Sequence, residues 1–137
     1  ALGDKLIMAG GCNFPDVPAS EGGKKKFYKG IYAADITADS VLNWRKVGEL
    51  PLASAYGVAA VYNDLLICAG GTDGTRSLTD VFSIRLKVDA WNTVIRSSHL
   101  ARAGAVLVSG GNDSFYNING ELKPGIRTPE ITRIWLK

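Results

Sequence analysis

The chain has 137 residues, 46% of them hydrophobic and 21% charged, with a formal net charge of +3. That length suits about one domain, and that balance excludes a disordered chain. The positive charge is small and concentrated in Lys24-Lys25-Lys26, with no interleaved aromatic ladder, so no nucleic-acid footprint is expected.

No apolar run reaches membrane-spanning length, and no membrane partner is expected. No signal peptide opens the chain at Ala1, which reads as cytosolic or already processed. Two cysteines, Cys12 and Cys68, and one histidine, His99, are too few for a Cys/His zinc site. Both cysteines are expected to be buried free thiols, with a Cys12–Cys68 bridge as the less favoured alternative.

In chain order, strand signals dominate and no helical period exceeds two turns. Leu6 to Ala9 is a short apolar run that stops at Gly10-Gly11. The loop that follows, Asn13 to Lys29, is long and irregular, with two prolines and the lysine run. Loops of that length are often functional, and Lys24 to Lys26 could attract an anionic substrate, although a solvated charge run is the favoured reading. A strand is expected over 31–36. Trp44 and Leu50-Pro51 come next, then strands over 57–62 and 65–69 around an Asn63-Asp64 turn. The second of these ends in Gly70-Gly71, and another strand is expected over 81–86.

The same order of events then recurs. Trp91 is followed by Leu100, a strand over 104–108, a turn at Gly110-Gly111-Asn112-Asp113, and a strand over 115–119 that stops at Asn119-Gly120. Asn-Asp turns are hairpin chemistry. A last strand is expected over 130–136. Trp44 lies 27 residues before Gly71, Trp91 lies 29 before Gly120, and the two tryptophans are 47 apart. A unit of four strands repeating at about 50 residues lies in the kelch range of β-propellers. The expected class is therefore all-β: blades of four antiparallel strands, about two and a half of them. Blade limits are expected near 1–40, 41–88 and 89–137. Glycine at each strand end permits φ > 0 and close backbone approach.

Residues 119 to 127, Asn-Gly-Glu-Leu-Lys-Pro-Gly-Ile-Arg, form the most informative stretch. Pro124-Gly125 suits the centre of a type II turn. The loop carries one acid, Glu121, and two cations, Lys123 and Arg127. These are the candidate site residues; a polar hairpin end with solvated charges is the plainer reading. A strict two-residue hairpin there pairs Leu122 with Arg127 and puts Glu121 on the other face. The loop must be wider or bulged for both to address one ligand.

Asn119 to Thr128 resembles the Asn-Gly-Glu-x-Lys-Pro-Gly-x-Arg-Thr signature of the bacterial kelch-type sialic acid mutarotases (N-acetylneuraminate epimerases). Leu6 to Leu86 is similar to another part of that family, through Ala9-Gly10-Gly11, the lysine-rich loop, Trp44, Gly48-Glu49-Leu50, Ala55-Tyr56-Gly57-Val58 and Gly70-Gly71. The Glu-x-Lys-Pro-Gly-x-Arg blade comes last here, as in a cyclically permuted branch of the family. The family forms a six-bladed propeller more than twice this length, so the middle blades are missing between about Leu86 and Leu100. Self-association or further blades would then close the ring.

The resemblance implies interconversion of the α and β anomers of N-acetylneuraminate or a related sialic acid, without metal or organic cofactor, in the periplasm or outside the cell. It makes Glu121 the catalytic proton acceptor and Arg127, with Lys123, the substrate-binding cations. A carboxylate can take the anomeric hydroxyl proton, and a guanidinium fork suits a sugar carboxylate. The competing class is a non-catalytic kelch module that binds a protein or glycan.

Overall fold

The computed structural model describes residues 3–36, 41–85, 90–96 and 101–135. In chain order the strands are β1 (Lys5–Ala9), β2 (Cys12–Asn13), β3 (Lys26–Phe27), β4 (Gly30–Asp35), β5 (Arg45–Glu49), β6 (Val58–Tyr62), β7 (Leu65–Ala69), β8 (Asp80–Arg85), β9 (Ala90–Arg96), β10 (Val106–Gly111), β11 (Ser114–Ile118), β12 (Glu121–Lys123), β13 (Ile126–Arg127) and β14 (Ile131–Trp135). Three antiparallel sheets result, ordered β1-β4-β5, β6-β7-β8-β9 and β10-β11-β14, with small hairpins β2-β3 and β12-β13. Each expected strand is present, with its ends within two residues except for β10, which runs three residues further; the expected ends at Leu86 and Leu136 lie outside the described residues, as do His99 and Leu100.

In the three main sheets, two strands had no apolar run to announce them, β5 and β9. They also correct the blade limits. Limits near 40/41 and 88/89 would start a new blade with each, but β5 is hydrogen-bonded to β4 and β9 to β8. The sheets therefore run 5–49, 58–96 and 106–135. A period in a sequence gives spacing and leaves phase open. The tryptophans nonetheless hold equivalent places: Arg45 pairs with Ala33 and Asn92 with Ser83, and a tryptophan precedes each. The same register shift recurs in both pairs, at Ile31/Tyr32 and at Val81/Phe82.

The chain divides into two compact units, Ala1–Ala55 and Tyr56–Lys137. In the first, Ile31, Ala33 and Ala34 of β4 are buried. Its long loop is drawn into the β2-β3 hairpin, where Cys12 faces Phe27. Lys25 lies over the Phe14 ring, Lys26 over the Tyr28 ring, and the Tyr28 hydroxyl donates to Asn13 Oδ1. Two of the three lysines thus cover aromatic rings. Neither Cys12 nor Cys68 is in a disulfide, and burial pushes the Cys68 thiol up to about 12.

In the second unit Ile67, Ala69, Val81, Phe115 and Ile134 form one core, with Val58, Ala60, Tyr62, Leu65 and Leu107 packed against it. Tyr62 and Phe115 meet edge to face, their centroids 5.8 Å apart. The strand expected over 104–108 starts later and runs longer. Gly104 has φ +63, outside the strand region, while the chain stays paired through Gly111. Only Asn112 and Asp113 make the turn, with φ 45 and 58, the positive pair that matches the twist of a tight hairpin.

Candidate functional site

The candidate residues sit on a hairpin between β11 and β14. β11 ends like β1 and β7, in two residues of positive φ: Asn119 (59) and Gly120 (107), against Gly10 (69) and Gly11 (114), and Gly70 (62) and Gly71 (84). Close approach explains the glycine: a Cβ on Gly120 would lie 3.0 Å from the Ala103 carbonyl oxygen, and one on Gly10 would clash with Ser54 O. At the neck the Asn119 N–H donates to Glu130 O at 3.0 Å and the Thr128 N–H to Gly120 O at 2.9 Å.

The hairpin itself answers the face problem. Pro124-Gly125 makes the turn, with Gly125 at φ +77, and Lys123 pairs with Ile126. The next pair is Glu121 with Arg127, because the register shifts and leaves Leu122 as an extra residue. This is a β-bulge, and it moves Glu121 onto the face of Arg127. Arg127 Nε then lies 3.6 Å from Glu121 Oε1. Lys123 stays exposed opposite Ile126, so the register does not bring it to that pair.

Other segments hold the bulge. The Leu122 carbonyl accepts from the Ser77 hydroxyl at 3.2 Å. Ser77 belongs to the loop after β7, closed by a Thr72–Ser77 bridge. Within that loop Asp73 Oδ1 accepts from the Thr75 hydroxyl and from the N–H groups of Thr75 and Arg76. Those bonds hold the Asp73 carboxyl well below the usual carboxylate range. On the other side Glu121 and Ala103 exchange both backbone bonds, at 2.8 and 2.9 Å. The backbone of Glu121 is thus clamped while its side chain keeps about a third of its surface exposed.

Arg102 was not singled out by the sequence. It is a lone cation before a strand of small and apolar residues, and nothing local marks it for burial. In the fold its side chain is fully buried and pairs with Glu130 at 2.7 Å. Chemically, the hairpin offers a partly exposed carboxylate able to take and return a proton. Beside it stands a guanidinium with 84% of its side chain exposed. An exposed ion pair is weak, so an anionic ligand can compete for Arg127 at small cost.

Comparisons with known proteins agree with the resemblance. A Kelch motif matches residues 53–94. The N-acetylneuraminate epimerase of Pasteurella multocida (strain Pm70) is 38% identical over 87 residues, which cover 55% of this chain and 22% of that protein. The N-acetylneuraminate epimerase of Haemophilus influenzae (strain PittEE) is 39% identical over 83 residues, 57% of this chain and 22% of that one. An Escherichia coli O1:K1 / APEC N-acetylneuraminate epimerase is 38% identical over 89 residues, 61% of this chain and 24% of that one. The chain therefore matches less than a quarter of the length of these curated relatives. The solved structure of YjhT aligns with a TM-score of 0.77 at 18% identity, over 97% of this chain and 46% of that chain. At that identity the likeness shows the fold. The expected class, all-β with kelch-type β-propeller blades, is borne out, and so is the similarity to N-acetylneuraminate epimerases.

Proposed function

We propose that the protein is a sugar isomerase that interconverts the α and β anomers of N-acetylneuraminate or a related sialic acid. Glu121 takes the proton of the anomeric hydroxyl, the ring C–O bond breaks to give the ketone, and the departing ring oxygen is protonated to a hydroxyl. On reclosure that hydroxyl adds to the other face of the ketone and loses its proton, while the new anomeric oxygen takes one back. Arg127 holds the sugar carboxylate through its planar fork. Lys123, at the hairpin tip, adds longer-range attraction for the anion. The carrying observation is the bulge, which puts Glu121 and Arg127 on one face at 3.6 Å where a regular hairpin would separate them. The names of the similar proteins support the substrate class.

The test is Glu121→Gln in the complete protein, followed by NMR on freshly released anomer. Glutamine keeps the shape and loses the proton-accepting carboxylate. Catalysed exchange should fall by about 10²-fold or more, toward the spontaneous rate, with ligand affinity little changed. Exchange as fast as in the parent would remove Glu121 from the role. A parent that binds sialic acid without speeding exchange would favour a glycan-binding kelch module.

A further inference from the structure

We propose that Arg102 is a positioning residue: its buried guanidinium locks the neck of the Glu121–Arg127 hairpin and thereby fixes where the Glu121 carboxylate stands. The catalytic part of this inference rests on the proposed function; the structural part does not.

Arg102 touches both strands from which the hairpin springs. Nη1 donates to Asn117 O at 3.3 Å and reaches Asn119 O at 3.5 Å, where the chain leaves β11. It also donates to Glu130 O at 2.9 Å, where the chain returns. Nη2 donates to the Thr132 hydroxyl at 2.7 Å and pairs with Glu130 Oε2 at 2.7 Å. The outgoing and returning strands are therefore bound to one rigid, planar group. The next residue, Ala103, is the one that clamps Glu121 through two backbone bonds. The Arg102 carbonyl is held in turn by the Gly71 N–H at 2.7 Å. Side chain, next peptide and carbonyl together tie the neck, the acid and the end of β7 to one residue.

Stability alone is a poor reason for this arginine. Its Nε and the Asn117 Oδ1 are buried without a hydrogen-bond partner among the described residues. Buried polar groups left unpaired are costly, so part of what this side chain adds to stability is offset at the site itself. Orientation is what only the fork supplies. A misplacement of about 1 Å in a catalytic group can cost about 10²-fold in rate.

The test uses the complete protein with Arg102→Met, Arg102→Lys and, as a mildly destabilised control, Ile67→Val. Two readouts are taken: amide hydrogen exchange, and anomer-exchange kinetics per folded molecule. With Arg102→Met the Ala103 and Glu121 amides should exchange at least about tenfold faster while β7 amides keep their protection. kcat should fall about tenfold or more, with KM within about threefold. Arg102→Lys, which can still reach some of the carbonyls, should recover part of both. Ile67→Val should change neither readout at the hairpin. Parent-like exchange at Ala103 and Glu121 in Arg102→Met would overturn the proposal, as would loosened amides with unchanged kcat. If the amides loosen but the parent protein does not catalyse anomer exchange, the proposed function fails and the structural lock stands.

Discussion

Arg127 and Glu121 are held differently on the hairpin. The Glu121 backbone is bonded twice to Ala103, whereas Arg127 lies on a two-residue strand and projects into solvent. A clamped acid suits proton transfer, and an exposed guanidinium suits ligand capture. Arg127→Lys should therefore weaken binding of a carboxylated sugar by about tenfold and that of a neutral sugar of equal size much less, because lysine keeps the charge and loses the planar fork. Titration calorimetry with both ligands checks this; equal losses would make Arg127 structural. Residue identity alone pointed to both positions. It did not reveal Arg102, because burial of a cation depends on carbonyls contributed by strands that the sequence keeps 15 to 28 residues away.

At the scale of the element, each sheet combines a local turn rule with pairing across strands. The first sheet adds an ionic ladder: Asp35 of β4 binds Lys5 of β1 and Arg45 of β5, while Glu49 of β5 binds Lys29 and Lys46. Hydrogen bonds from Arg45 and then Lys5 lower Asp35 from 3.8 to about 2, and those from Lys29 and then Lys46 lower Glu49 from 4.5 to about 2. A carboxylate whose pKa is lower folded than unfolded stabilises the fold above its unfolded value, and the effect is lost as pH falls toward the folded one. Unit 1 should accordingly lose stability between about pH 4.5 and about pH 2. Asp35→Asn with Glu49→Gln should flatten that slope in pH-dependent denaturant titrations. All these groups are exposed, so the effect is modest and should shrink in high salt. An unchanged slope would show that the ladder adds nothing.

Across the whole molecule, the second unit depends on a core shared by two of its sheets. Phe115 and Ile134 come from β11 and β14, while Ile67, Ala69 and Val81 come from β7 and β8. Phe115 is 1% exposed and packs against Tyr62 of β6. Phe115→Ala should destabilise this unit by about 3–5 kcal/mol, through lost burial and the cavity left behind. Chemical denaturation checks it; a loss below about 1 kcal/mol would mean the two sheets do not share a core.

What the sequence determined by itself was local and periodic. Alternating and apolar runs marked eight strands, Asn-Asp and Pro-Gly marked turns, and paired stops at 10–11, 70–71 and 119–120 marked positions of positive φ. These follow from steric rules within a few residues, so they are legible without a fold. Tertiary structure decided the rest. It set the phase of the repeat by pairing β5 with β4 and β9 with β8. It chose the bulge over a regular hairpin, with a Ser77 hydroxyl bonded 45 residues away supporting the extra Leu122. It also buried Arg102 between strands that share no local signal with it. Partner choice, register and burial are set by which distant segments meet, and no window of sequence contains both sides of such a contact.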